Sequence, residues 1–160
     1  MRLILPLLFF LVIISITGPS AAAGLDFSKS ITIGSGPKTV IEFTDPDCPY
    51  CRKASEYFEG RRDVTRHIYF YPLPSHPQAR EKVQYILSQK DSAAAYHEIM
   101  SGKKDAVNTS EGITPVGIKL QKEQLNTARS QNVHATPTFF INGKIIEGFD
   151  QKKIEDTLGK

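Results

Sequence analysis

The spacing of apolar and polar residues changes several times along this chain, and each spacing predicts an element. Leu3 to Ile16 carries no charge; Arg2 precedes it, and Thr17-Gly18-Pro19-Ser20 and Ala21-Ala22-Ala23 follow. A charge, an apolar run and small residues, in that order, predict a secretory signal peptide cleaved after Ala23. The run is short for a membrane span, which needs roughly 17–25 residues, so an uncleaved anchor is the competing reading. Beyond it, Phe27 to Ile33 alternates weakly as a strand, and Gly34-Ser35-Gly36-Pro37 turns the chain. Thr39 to Thr44 is β-branched and mostly apolar, the pattern of a central strand buried on both faces. Cys48 to Phe58 carries helix formers and stops at Gly60. His67 to Tyr71 is another strand, ended by Pro72 and Pro74.

From Pro77 to about Arg129 the pattern is mainly helical. Ser75 or His76 is placed to cap a first helix with Pro77 in its opening turn, and Val83, Ile86 and Leu87 recur on one face. Ser92 opens a second helix that runs through Met100 and closes at Gly102. Thr114-Pro115 opens a third, with Ile118, Leu125 and Ala128 as its apolar face, and residues 102–112 read as a surface loop. Thr138 to Ile141, Asn142-Gly143 and Lys144 to Glu147 form a hairpin with a two-residue turn. Asp150 then caps a last helix. The order is strand, strand, helix, strand, helical insertion, hairpin, helix: an α/β domain with a mixed sheet.

Without the leader, residues 24–160 remain, enough for one domain with one core. The net charge of +3 includes Arg2 and falls to +2 without it. No Lys/Arg run exceeds two residues, so nothing points to nucleic acid.

The cysteines change the picture more. Cys48 and Cys51 are the only two, and an export signal places them where disulfides persist. A structural bridge stabilises by closing a loop in the unfolded chain, and this pair closes almost none. A CxxC between a buried strand and a helix has a chemical use instead. The first cysteine sits where unpaired backbone N–H groups and the helix dipole favour a thiolate. Cys48 is therefore expected to attack or be attacked, forming a mixed disulfide that Cys51 resolves. Pro49 suits the helix start because its missing N–H has no intrahelical role. Zinc would need two further ligands, and His67, His76, His97 and His134 are scattered. Covalent haem attachment would want His where Arg52 stands. Inert thiols and a simple structural disulfide complete the alternatives, and no metal or cofactor is called for.

Glu42 interrupts the apolar strand six residues before Cys48, where an unpaired charge is costly to bury. Burial should raise its pKa and suit it to proton transfer with the Cys51 thiol, through water. The alternative is an edge-strand glutamate facing solvent.

The segment Val40-Ile41-Glu42-Phe43-Thr44-Asp45-Pro46-Asp47-Cys48-Pro49-Tyr50-Cys51 resembles the active-site region of bacterial periplasmic Dsb proteins. Ala135-Thr136-Pro137-Thr138-Phe139-Phe140 resembles their cis-proline loop, and Gln89 through Lys103 is similar to the helical insertion of the DsbC/DsbG branch. The resemblance runs from about Thr39 to the C-terminus and implies a thioredoxin-like mixed sheet flanked by helices. It implies a cis bond at Pro137 that turns the Thr136 backbone towards the dithiol, where an extended substrate can pair with it. Pro49 and Tyr50 would flank that substrate. It also implies exported protein substrates in the periplasm and a membrane redox partner, either a DsbD-like reductant or a DsbB-like oxidant. The chain departs from the branch in three ways. About fifteen residues separate Ala23 from Thr39, so the N-terminal dimerisation domain is not expected. The second cysteine pair of the insertion is absent, with Ser88 and Ser110 near those places. Glu42 is more like the acid of thioredoxin and DsbA than the apolar residue usual in the branch.

Of the remaining residues, His134 is a candidate cation near Cys48, Asp45 and Asp47 are read as solvated turn residues, and Tyr69, Phe70 and Tyr71 as core. Asn108-Thr109-Ser110 fits a glycosylation sequon and is read as loop. The leading function is an exported disulfide reductase or isomerase. Next come a DsbA-like thiol oxidase and a non-enzymatic chaperone-like binding module. A monomer is expected, reducing an accessible disulfide better than it rescues a scrambled protein.

Overall fold

The computed structural model describes residues 24–105 and 108–159, so the expected leader lies outside the described residues. Five strands, β1 (Ile31–Ile33), β2 (Lys38–Thr44), β3 (Val64–Phe70), β4 (Thr138–Ile141) and β5 (Lys144–Glu147), form one sheet in the order β1-β3-β2-β4-β5. Strand β2 runs parallel to β3 and antiparallel to β4, and β1 and β5 pair antiparallel at the edges. Among the described residues the α-helices are α1 (Pro49–Glu59), α2 (Ala79–Ser88), α3 (Ser92–Met100), α4 (Pro115–Ser130) and α5 (Gln151–Leu158). This is the mixed, helix-flanked, thioredoxin-like arrangement expected, with α2 to α4 inserted before the β4–β5 hairpin.

Alternation along β2 divides the core. Val40 packs with Val64, Phe139 and Ile141 against Ala54 and Phe58 of α1 and Ile154 of α5. Ile41 and Phe43 point the other way, with Tyr69 and Phe140, against Ala128 and Val133. The buried cysteines join Ile68, Phe70 and the inner faces of α2 and α3. Val83, Ile86 and Leu87 are buried as expected, and so are Tyr69 and Phe70. At the hairpin turn Asn142 and Gly143 both take positive φ, 49° and 75°, as a two-residue turn matched to strand twist requires.

Several expectations are corrected. The first predicted strand begins as a 3-10 helix, Phe27–Lys29, because the Asp26 carboxylate accepts the Ser28 N–H and turns the chain; only Ile31–Ile33 pairs. Strand β3 starts three residues earlier than predicted because Val64 to Arg66 find register with Lys38 to Val40. Neither Ser75 nor His76 caps α2; Gln78 precedes it without a side-chain cap, and His76 is used elsewhere. The buried face of α4 is Gly117, Gln121, Gln124 and Ala128, with Ile118 and Leu125 half-buried. Gly117 is required there, since a Cβ would collide with the Ser88 hydroxyl and the Gln84 carbonyl of α2. Gln124 belongs inside because its Oε1 accepts the Phe70 N–H (2.9 Å) and its Nε2 donates to the Lys29 carbonyl (2.5 Å).

Glu42 is fully buried, which removes the solvent-facing alternative, but it is not unpaired. Arg66 faces Val40 in the register, one diagonal step from Glu42 on the same side of the sheet. Its Nη2 and Nε donate to Glu42 Oε2 at 2.6 and 3.2 Å, and Nη2 also donates to the Tyr96 hydroxyl at 2.8 Å. The guanidinium lies over the Phe58 ring, 4.8 Å from its centroid. A buried pair of this kind costs most when one partner alone is removed. Arg66→Met should therefore destabilise the fold by about 3–5 kcal/mol, whereas Glu42→Gln/Arg66→Met should recover much of that loss. Urea unfolding of the reduced protein measures both.

Candidate active site

Strand β2 delivers the chain to a tight turn, Asp45-Pro46-Asp47, and then to α1. Cys48 is the N-cap residue in an extended conformation, Pro49 opens the helix, and the Arg52 N–H donates to the Cys48 carbonyl at 3.1 Å. Both cysteines are free thiols. Cys48 is 5 % exposed and Cys51 fully buried beneath it. Pro49 and Tyr50 are exposed beside Cys48.

The bond between Thr136 and Pro137 is cis, as the resemblance implied. Cys48 Sγ donates to the Thr136 carbonyl at 3.4 Å, so residues 88 positions apart meet at one sulfur. The Pro137 carbonyl is taken by the Gly148 N–H at 2.7 Å, which fastens this loop to the end of the hairpin.

The two thiols are driven apart electrostatically. A hydrogen bond from the Cys51 side chain holds the Cys48 pKa down at about 6; the backbone N–H groups of Cys51 and Tyr50 and the Thr136 side chain add to it, against a smaller opposing effect of burial. Burial pushes Cys51 far above the ordinary thiol range, and the neighbouring Cys48 reinforces the effect. Cys48 thus carries the more readily ionised thiol, and Cys51 the protonated one beneath it.

Asp45 is not the solvated turn residue expected. It is fully buried. Its Oδ1 accepts the Asp47 N–H (2.8 Å), and its Oδ2 accepts the Leu73 N–H (2.7 Å) and lies 2.9 Å from His76 Nδ1. Its own N–H points at Cys51 Sγ (3.4 Å), and its carbonyl accepts the Cys48 N–H (3.1 Å). Asp47 is held by Lys82 Nζ (2.6 Å), which also reaches Asp105 (2.9 Å). Arg52 donates through Nε to the Pro46 carbonyl (2.7 Å) and bidentately to Asp105 at 2.5 and 2.7 Å. Four charges thus bind the start of α1 to α2 and to the turn after α3.

His134 is exposed and is not among the groups that lower the Cys48 pKa. Glu42 lies on the same strand face as Thr44; its Oε1 and the Thr44 hydroxyl are buried without a hydrogen-bond partner. Sequence reasoning missed Asp45, His76 and Arg66. The Asp-Pro-Asp turn signal marks Asp45 as a residue that bonds nearby backbone, and a glutamate in a central strand calls for a cation on a neighbouring one. His76 carries no such local signal.

The model of the thioredoxin-like domain family matches residues 28–158. The chain belongs to the thioredoxin-like domain family. It is 29 % identical over 137 residues to the "Probable thiol:disulfide interchange protein DsbC" of Bordetella parapertussis, covering 84 % of this chain and 46 % of that protein. It thus spans about half the length of that relative. It is 26 % identical over 160 residues to the "Disulfide bond formation protein D" of Bacillus subtilis, covering 78 % of this chain and 72 % of that one. Among solved structures, a disulfide interchange protein from Neisseria gonorrhoeae superposes with a TM-score of 0.71 at 28 % identity, covering 84 % of this chain and 96 % of the other. All three of these proteins are named for disulfide interchange or disulfide formation, and the thioredoxin-like domain here is similar to them.

Alkylation of the reduced protein should show Cys48 reacting first, with a midpoint near pH 6. The sign follows from the depressed pKa. The thiolate's contribution to stability is full above the unfolded value of about 8.5 and is lost as pH falls through about 6. The reduction potential should accordingly fall by about 60 mV per pH unit below pH 6, where two protons accompany two electrons, and by about 30 mV above it. An unbroken slope through pH 6 would assign the low pKa elsewhere.

Proposed function

We propose that this protein is an exported, periplasmic reductase or isomerase of protein disulfides. The reading is carried by the opposed environments of Cys48 and Cys51. The Cys48 thiolate attacks one sulfur of a substrate disulfide; that S–S bond breaks, a Cys48–substrate disulfide forms, and the first substrate thiolate leaves. Cys51 then loses its proton and attacks Cys48 Sγ, expelling the second substrate thiolate and forming the Cys48–Cys51 disulfide. The substrate has gained two electrons and two protons, one proton from Cys51 and one from water, and a DsbD-like membrane donor returns two electrons to the protein together with the one proton that Cys51 takes up. An extended substrate segment pairs with the backbone at Thr136–Pro137, with Pro49 and Tyr50 flanking it. No helix among the described residues is long and apolar enough to cross a membrane.

The cysteines react in a fixed order, so Cys51→Ala should accumulate mixed disulfides with substrates, seen on non-reducing gels, and Cys48→Ala few. The couple should be largely reduced when trapped with acid and alkylated in cells. One observation favours the oxidase reading: a stabilised Cys48 thiolate stabilises the reduced form and makes the disulfide a stronger oxidant. A potential near about −270 mV marks a thioredoxin-like reductant and one near about −120 mV a DsbA-like oxidant. A couple found oxidised in cells would replace the first reading by the second.

Glu42 is the proposed proton carrier for Cys51. Arg66 holds Oε2 and leaves Oε1 without a partner, on the strand face that Glu42 shares with Thr44. Glu42→Gln should slow resolution of the mixed disulfide by about 10²-fold near neutral pH, the lower range for a general acid–base group. Rapid-quench measurement of the mixed disulfide checks this, and an unchanged rate between pH 6 and 8 would leave Glu42 a structural partner of Arg66.

A further inference from the structure

Strand β3 borders β2 on the side opposite β4, so the loop leaving β3 reaches the dithiol from the flank away from Thr136. This loop, α2 and α4 enclose a cleft of about 310 Å³, with Leu73, Pro74, His76, Arg80, Gln121 and Arg129 in its wall. The cleft is bonded to the active site. The Leu73 N–H and the His76 ring both meet the Asp45 carboxylate, and the Asp45 N–H points at Cys51 Sγ.

Gln121 is the unexplained group. It is 1 % exposed, yet neither its Oε1 nor its Nε2 has a hydrogen-bond partner. Folded proteins rarely leave a buried amide in that state, because its desolvation goes uncompensated. Gln124, one turn on, uses both ends of its amide within the fold. An open donor beside an open acceptor matches a peptide unit, which offers the complementary carbonyl and N–H. Arg80 and Arg129 are both exposed at the rim and make no ion pair among the described residues, whereas Arg52, Arg61 and Arg66 are each held by a carboxylate.

We infer that this cleft is a second subsite for the protein substrate, taking an acidic, extended segment that flanks the reacting cysteine. Gln121 pairs with a peptide unit, and Arg80 and Arg129 meet its carboxylates. The inference rests on the disulfide-exchange reading of Cys48 and Cys51.

The test uses two disulfide-linked peptides that differ only in glutamates or lysines beside the cysteine, with hydroxyethyl disulfide as a small probe lacking a flanking chain. With the reduced protein, kcat/KM should favour the acidic peptide by about fivefold, and Arg80→Glu/Arg129→Glu should reverse the preference. Gln121→Leu should lower kcat/KM for both peptides by about fivefold relative to the small probe, through KM. Equal rates on the two peptides, or a preference that survives the arginine reversal, would overturn the subsite. If Gln121→Leu does not fold, the arginine pair decides alone. A wild-type protein that reduces neither peptides nor probe would instead remove the exchange reading, and the subsite with it.

Discussion

The site depends on a buried carboxylate at the turn from β2 to α1. Asp45 accepts the Asp47 N–H and the Leu73 N–H and meets the His76 ring, while its own backbone bonds to Cys51 Sγ and the Cys48 N–H. One residue therefore shapes the approach to the helix, sets the two sulfurs and ties the loop after β3 to them. A solvated side chain here would leave these backbone donors to water. The dithiol would then sit on a turn with no fixed relation to the sheet.

Burial is what separates the chemistry of two identical side chains three residues apart. Cys48 is at the rim, where helix N–H groups and the Cys51 thiol stabilise its anion. Cys51 lies one turn deeper, against Ile68, Phe70 and the inner faces of α2 and α3, where no anion is welcome. The apolar core needed for folding thus also keeps the Cys51 thiol protonated. The same layer tolerates Glu42 because Arg66, Tyr96 and the Phe58 ring surround the pair with polar and π contacts.

The elements next to the dithiol are held by charge as well as by packing. Arg52, Asp105, Lys82 and Asp47 join α1, α2 and the turn after α3 on one flank, and the Thr136 carbonyl stands on the other. The likeness to the Bordetella and Neisseria proteins covers 84 % of this chain in each case.

Much of this was legible in order of residues alone. A β-branched apolar run marked β2, Asn142-Gly143 marked the hairpin turn, and Pro49, Thr114, Pro115 and Asp150 marked helix starts, because these signals act within a few residues. Cys48 and Cys51 announced their chemistry for the same reason: a helix start and a spacing of one turn are local facts. The sequence also showed that Glu42 was out of place, but not what answered it. Arg66 lies 24 residues away, and only the parallel register of β2 and β3 brings it to the same face. Asp45 looked like an ordinary turn aspartate until the loop after β3 folded over it. Gln121 sat on a face that periodicity assigned to Ile118 and Leu125, because the partner helix α2 demanded a glycine at position 117 and so chose which side of α4 to bury. Those choices are made by contacts between distant segments, and no local pattern carries them.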